Sequence, residues 1–485
     1  MSLSIPQLDW GGAAPFLVLT LTALGILLFD LFLSVRHKVW LMHLGLTGVL
    51  LTMALLVSGF GDQKRVVGEM LILDDFSRFF HLLFLLIAAL TFLVSVKDVE
   101  QERIHRGEYY ALVLFATLGM MVMASAADLI MLFLGLEALS IPLYILSGFL
   151  RGQLTSNEAA LKYLLLGAFA SAFLLYGIAF LYGSAGSTRL DRIAAHLSHG
   201  AAWENPLVFF GIGLLLVGLA FKIGAVPFHM WLPDVYEGAP TSVTAFMIAG
   251  TKAAAFAALL RVFGTALTPL HAEWVAPLWI LALLTMGVGN VAALTQQSIK
   301  RMLAYSSIAH AGYLLVAFLA GTSRGFSSIL FYLVVYAFMN LGAFAVIIAL
   351  ARQGEERPTL SAYAGLGFRH PVLAFSMAVF MFSLAGLPPT GGFMGKLYIF
   401  SAAVEANYVG LVVLAVLCSL ISVFFYLRVV VVMYMEEPRE GQPNPVFSPA
   451  ILITLFLATA ATLQLGLLPA GVWDLAVRSV RSFLG

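Results

Sequence analysis

Runs of about twenty apolar residues follow one another almost from end to end of this chain, and that feature decides what it can fold into. A helix of about 20 residues crosses a hydrocarbon core of roughly 30 Å, and inside lipid each backbone N–H and C=O must find its partner within the structure. Reading the runs between polar or Pro/Gly breaks predicts fourteen spans: 12–34, 40–60, 76–96, 108–125, 128–150, 159–183, 206–232, 239–265, 275–296, 301–321, 325–351, 371–402, 407–434 and 448–469. With 61% of 485 residues hydrophobic and 11% charged, no room is left for a large soluble domain. The expected fold class is an all-α polytopic membrane protein. Its first run, Ala13 to Leu33, is too long for a signal-peptide core and has no basic leader, so it reads as a permanent span.

A net charge of +1 gives no long-range preference for nucleic acid or acidic partners. The loops after odd-numbered spans carry Arg36, Lys38, Lys97, Arg103, Arg106, Arg151, Lys300, Arg301, Arg352, Arg357, Arg369 and Arg439; the opposite side carries Lys64, Arg65, Arg189, Arg192, Arg324, Arg478 and Arg481. By the positive-inside rule the first side is cytoplasmic, which places both termini outside. Cys418 lies within an apolar run and reads as a small core hydrophobe. No Cys/His cluster has metal-ligand spacing, and no P-loop, dinucleotide fingerprint or nucleophilic triad is present, so neither a metal nor a redox cofactor is expected in this chain.

Two spans are interrupted in corresponding ways. Span seven contains Phe221-Lys-Ile-Gly-Ala-Val-Pro-Phe-His-Met-Trp-Leu-Pro233, and span twelve contains Ala385-Gly-Leu-Pro-Pro-Thr-Gly-Gly392. Proline removes a backbone donor, glycine tolerates the broken geometry, and freed backbone at membrane depth survives only inside protein or beside water. The breaks lie five spans apart. An odd-numbered unit reverses orientation when repeated, so spans four to eight and nine to thirteen are expected to form inverted five-helix repeats with discontinuous helices seven and twelve. The implied divisions are 1–107, 108–265, 275–434 and 448–485.

Seven basic residues fall inside spans. Arg78, Arg261 and Arg428 lie within reach of a span end and read as interface anchors that snorkel. Lys162, Lys222, Lys252 and Lys396 are different, because a charge at the bilayer centre costs about 2.5–3.5 kcal/mol and usually marks a pathway. Lysine also releases its proton when desolvated, whereas arginine does not. Lys222 precedes the first break, Lys396 follows the second, and Lys252 lies in a stretch of small residues; Lys162 is near enough to a loop that snorkelling is an equal alternative. Glu137 has no basic neighbour in its own span and needs one from another helix, either as a proton carrier or in a static salt bridge. Asp128 reads as a helix N-cap. His310 suits proton transfer between the two halves, with a satisfied core histidine as the alternative, and His229 lies in the broken segment, where capping is equally open.

The stretch from Phe221 to Thr241, followed by Lys252, resembles the signature of the antiporter-like proton-pumping membrane subunits of respiratory complex I, NADH-quinone oxidoreductase, which are similar to Mrp-type sodium/proton antiporters. The likeness extends over nearly the whole chain. Glu108 to Met121, Leu134 to Tyr144, and a lysine at 396 where the M-type members carry glutamate, resemble the N-type members. The resemblance implies that Glu137 and Lys222 are a coupled pair modulated by Lys162, that Lys252 and His310 are the central relay, and that Lys396 is the terminal proton site. It implies neighbouring antiporter-like subunits as partners in a bacterial inner membrane, with NADH, FMN, iron–sulfur clusters and quinone held by other subunits. A cation/proton antiporter of Mrp type, or a subunit of a related membrane hydrogenase, is the alternative.

Overall fold

A computed structural model describes residues 9–34, 37–101, 107–198, 202–351, 359–438, 445 and 447–484. Arg36, Arg103, Arg106, Arg352, Arg357 and Arg439, which entered the charge comparison across the membrane, lie outside the described residues, as does the side chain of Lys97. Helices α1 (Trp10–Asp30), α2 (Val39–Val57) and α3 (Asp75–Gln101) come first, with a hairpin of β1 (Lys64–Val66) and β2 (Leu71–Leu73) between the last two. A first set follows: α4 (Glu108–Ser125), α5 (Leu129–Ser147), α6 (Leu154–Ala185), the short α7 (Leu190–Leu197), α8 (Pro206–Ile223), α9 (Leu232–Gly238) and α10 (Thr241–Arg261). The second set is α11 (His271–Leu294), α12 (Ile299–Leu319), α13 (Ser323–Leu350), α14 (Leu366–Arg369), α15 (Pro371–Ala385), α16 (Gly391–Glu405) and α17 (Val409–Met435), and α18 (Pro449–Leu467) and α19 (Ala470–Leu484) follow.

Among the described residues 13 helices are long and apolar enough to cross a membrane. The fourteenth expected span is present in two pieces: α15 and α16 have 15 residues each, about 22 Å at ~1.5 Å per residue, and neither crosses alone. Span seven is also broken, and its helix stops at Ile223 rather than 232. Both breaks use one device. Gly224 and Gly386 take left-handed backbone at φ 76° and 83°, which favours glycine, and the next N–H reaches back to a carbonyl of the preceding turn: Ala225 to Ala220 O and Leu387 to Phe382 O, both 2.9 Å.

Burial sorts the helices into centre and rim. From Ser242 to Arg261 every residue of α10 is buried, and α12 and α13 are nearly as enclosed, whereas α1, α2, α6, α17 and α18 leave broad apolar faces outward, as lipid or neighbouring subunits require. In each set the first two helices pair closely, α4 on α5 and α11 on α12, and the third runs against the broken one.

The three arginines expected to snorkel each have partners within the chain. Arg261 is 3% exposed and ion-paired to Asp74, Arg78 donates to the Asp62 carbonyl and to Asp75, and Arg428 donates to the carbonyls of Leu294 and Gln296. Carbonyls at helix ends and carboxylates of other segments accept from these guanidinium groups, whose five donors on one planar fork serve several acceptors together. Lys300, counted among the loop cations, is also buried, and donates to Ala239 O at 2.8 Å. Asp128 caps α5 as expected, accepting the Ile130 N–H at 2.8 Å and the Thr188 hydroxyl at 2.7 Å.

Candidate functional site

Breaking a helix frees the carbonyls of its last turn, and in lipid those oxygens need donors. Two of the buried lysines supply them. Lys252, in the middle of α10, donates to Ile223 O at 3.0 Å, the terminal carbonyl of α8, and to Ser307 O of α12 at 2.8 Å. Lys396, on α16, donates to Leu384 O and Ala385 O, the last carbonyls of α15, both at 3.0 Å, and to Ser419 Oγ of α17 at 2.9 Å. Their exposures are 1% and 4%, so neither reaches bulk solvent through this chain. The carbonyl end of a helix dipole favours a cation, burial opposes one, and hydrogen bonds to a charged donor are worth about 1.5–3 kcal/mol.

His310 lies between them, and α12 makes the connection. Ser307, His310 and Tyr313 follow at intervals of three residues and therefore share a helix face. The Ser307 carbonyl accepts from Lys252, and the Tyr313 ring lies 5.0 Å beneath the Lys396 ammonium. His310 Nδ1 is hydrogen-bonded to the Tyr332 hydroxyl of α13, and Nε2 to the Tyr426 hydroxyl of α17 at 3.0 Å. Tyr426 in turn bonds Ser306, and Asn290 donates to the Tyr313 hydroxyl at 3.0 Å. A buried imidazole with a hydroxyl on each nitrogen is able to take a proton on one side and release it on the other.

At the other end of the row Lys222, 3% exposed, donates to Ser140 Oγ of α5 at 2.6 Å and lies 5.7 and 5.3 Å from the rings of Tyr144 and Tyr163. Glu137 is three residues before Ser140 and within electrostatic reach of Lys222, but the two are not joined in a salt bridge; Ser140 takes the hydrogen bond instead. Glu137 Oε1 is buried and has no hydrogen-bond partner among the described residues. Ser307 Oγ, Tyr336 OH, Asn340 Oδ1, Asn290 Oδ1 and Tyr163 OH share that condition. Buried polar atoms with unused capacity are where ordered water forms bridges.

Lys162 is elsewhere. It is 39% exposed and pairs with Glu158 at 2.5 Å and with Asp234 of α9 at 2.7 Å, and Asp234 and Glu237 both accept from Arg301 of α12 at 2.8 and 2.9 Å. A cavity of about 60 Å³ opens beside this cluster. The next residue, Tyr163, reaches the Lys222 side, and its ring lies parallel to Trp231 at 4.5 Å. His229 is half-buried in the break, with its Nδ1 unpartnered among the described residues and its imidazole beside the Pro227 backbone. Sequence reading missed Ser140, Tyr332, Tyr426 and Ser419, because a hydroxyl in an apolar helix gives no local sign of what it faces. Asp234 gave a sign, as an acid one residue after the proline that follows the break, but its partners come from α6 and α12. Among the described residues no group of three or more His, Cys, Asp or Glu is placed to hold a metal ion.

Comparison with known proteins places the chain in a family. Residues 126–422 match the family described as NADH:quinone oxidoreductase/Mrp antiporter, transmembrane region. NADH-quinone oxidoreductase subunit N of Trichlorobacter lovleyi is 48% identical over 467 residues, 96% of each chain. A chain of respiratory complex I from Thermus thermophilus superposes with a TM-score of 0.81 at 38% identity, covering 96% of this chain and 99% of that one. A chain of the Mrp complex from Dietzia sp. has a TM-score of 0.84 at 21% identity, covering 98% of this chain and 100% of that one, which is likeness of fold.

Proposed function

This chain belongs to the NADH:quinone oxidoreductase/Mrp antiporter transmembrane family, and from that premise we propose that it serves as an antiporter-like, proton-translocating membrane subunit of NADH-quinone oxidoreductase, in the place subunit N holds among its relatives. The observation that carries the proposal is the row of buried donors: Lys252 and Lys396 each on carbonyls freed by a broken helix, with His310 between two tyrosine hydroxyls on the helix that spans the gap. NADH, flavin, iron–sulfur clusters and quinone belong to partner subunits. Electron transfer there shifts the electrostatic balance at Glu137 and Lys222, protons pass along Lys252 and His310, and Lys396 releases them. Lys162, next along α6 to Tyr163 and bound to Asp234, acts on the pair through the position of α9. The two helix sets are inverted repeats, a relation supported by their matching glycine-capped breaks and pairings. The excess of lysine and arginine after odd-numbered spans supports a cytoplasmic-membrane orientation with both termini periplasmic.

Lys396→Arg tests the terminal role. A proton carrier must alternate between charged and neutral forms, and guanidinium does not. The variant is expected to assemble and to lose most of its pumping per electron pair, measured in membranes with assembly checked independently. Full pumping returns Lys396 to a structural role, for which alanine rather than arginine is the damaging change.

Glu137→Gln tests the other end. Glu137 forms no salt bridge within the described chain, so its neutral isostere breaks no direct contact and removes only the longer-range stabilisation of the Lys222 charge. Turnover is expected to fall several-fold with the subunit retained in the membrane, and loss of the subunit instead marks Glu137 as an assembly contact.

A further inference from the structure

α10 carries Lys252, and both its ends meet a carboxylate on or beside α3, a helix outside the two five-helix sets. At one end the Arg261 Nη1 and Nη2 donate to Asp74 Oδ2 and Oδ1 at 2.7 and 2.9 Å, and its Nε and Nη2 donate to Ala124 O at 3.2 and 3.0 Å. The guanidinium is also held against the rings of Phe76 and Phe483, at 4.6 and 5.2 Å. Asp74 immediately precedes α3 and accepts the Ser77 N–H at 2.8 Å, so one carboxylate caps α3 and grips α10 together. At the other end Asp98, in the last turns of α3, accepts the Ser242 N–H at 2.8 Å, one of the first amides of α10 that have no partner within the helix. The Tyr109 hydroxyl donates to Ser242 Oγ at 2.8 Å beside it. Asp74 and Asp98 are about 36 Å apart along a helix rising ~1.5 Å per residue, a little more than a hydrocarbon core.

We propose that α3 sets the depth of Lys252 in the membrane by clamping α10 at both ends, with Asp74 and Asp98 as positioning residues for proton transfer. From Ala253 to Leu260 α10 has no polar side chain, so the Arg261 pair is joined to Lys252 by no side-chain proton path along that helix; what it transmits is position. Position matters because Lys252 must reach Ile223 O at 3.0 Å and Ser307 O at 2.8 Å together. A slip of one residue moves its ammonium by about 1.5 Å, beyond the ~2.7–3.2 Å range of such bonds. Breaking a buried ion pair leaves an uncompensated charge, which makes the clamp stiff. The inference rests on Lys252 being part of the proton relay.

The test uses the complete enzyme in membranes, with Asp98→Ala and Lys252→Ala measured singly and together. Misplacement by an ångström costs up to about 10²-fold in a positioned reaction, and Asp98→Ala is expected to lower kcat of pumping-coupled quinone reduction about tenfold with the KM for quinone unchanged. It is expected to add nothing to Lys252→Ala, because the clamp acts through that side chain. Asp98→Glu keeps the carboxylate on a longer tether and gives a smaller loss; it is the variant to read should Asp98→Ala fail to assemble. Wild-type turnover in both Asp98 variants, losses that multiply in the double variant, or failure of both variants to assemble overturns the inference, the last because α3 then serves assembly alone. Normal pumping by Lys252→Ala removes the relay itself, whereas a damaged Lys252→Ala beside a normal Asp98→Ala removes only the clamp.

Discussion

Replacing Lys222 with alanine is expected to stop proton pumping and to slow quinone reduction about tenfold or more in the assembled enzyme, a rise of at least ~1.4 kcal/mol in the barrier. Lys222 is 3% exposed and connects the Glu137 side of the row to the broken helix, being one residue from the carbonyl that Lys252 holds. Alanine offers no proton there. Coupling then holds back electron flow, because the conformational cycle cannot complete without the transfer. Assembly should survive: the hydrogen bond lost is the one to Ser140, whose hydroxyl keeps a bond to the Leu136 carbonyl, and no salt bridge is broken. Pumping and quinone reduction are measured in membranes with the amount of complex determined separately. Near-normal values of both in fully assembled complex would end the case for Lys222 as a relay member.

Gly392→Ala should act just as strongly by a mechanical route. A Cβ added at Gly392 would lie 1.8 Å from Ser383 O and 2.6 Å from Ser383 C, which are backbone atoms and cannot rotate away. The Gly392 N–H also donates to Ser383 Oγ at 3.0 Å, so this is where the two halves of the broken span touch. They must separate, and overpacking of this kind costs about 1–3 kcal/mol or more. Lys396 follows one turn later on α16, while its carbonyl partners are on α15, so separation withdraws the lysine from both. The expected result is a marked fall in assembled complex, and in whatever assembles, a fall in protons pumped per electron pair. Gly410→Ala is the control: nothing lies within 4 Å of a Cβ there, and no change is expected. Wild-type assembly and pumping in Gly392→Ala would show that the halves are not held as tightly as this geometry requires.

The membrane class, the number of spans and the two breaks were legible in the residue order. Apolar run length against bilayer thickness is a one-dimensional comparison, and Gly-Ala-Val-Pro227 and Gly-Leu-Pro-Pro389 interrupt a helix wherever they fall. The four lysines and Glu137 stood out for a related reason: a charge in an apolar run is costly whatever surrounds it. Where the cost is met was not legible. Lys252 and Lys396 meet it on carbonyls of other helices, Lys162 in an ion cluster at the rim, and Glu137 through the nearby charge of Lys222 without a direct salt bridge.

Distance along the chain explains the remainder. Arg261 looked like a residue near a span end, and its nearness to a boundary is a property of sequence; its partner Asp74 lies far earlier in the chain, and its second contact is a carbonyl at the end of α4. Tyr332 and Tyr426 are unremarkable aromatic residues in apolar helices until packing turns their hydroxyls onto the two nitrogens of His310. Hydropathy and proline chemistry act locally, so the sequence by itself determined that this chain crosses the membrane many times, breaks twice and carries charges inside. A hydrogen bond between helices depends on rotation and depth to within an ångström, and those are set by the packing of all the helices together. Only the tertiary structure therefore decided which buried charges form one row, and which serve to hold the helices that carry it.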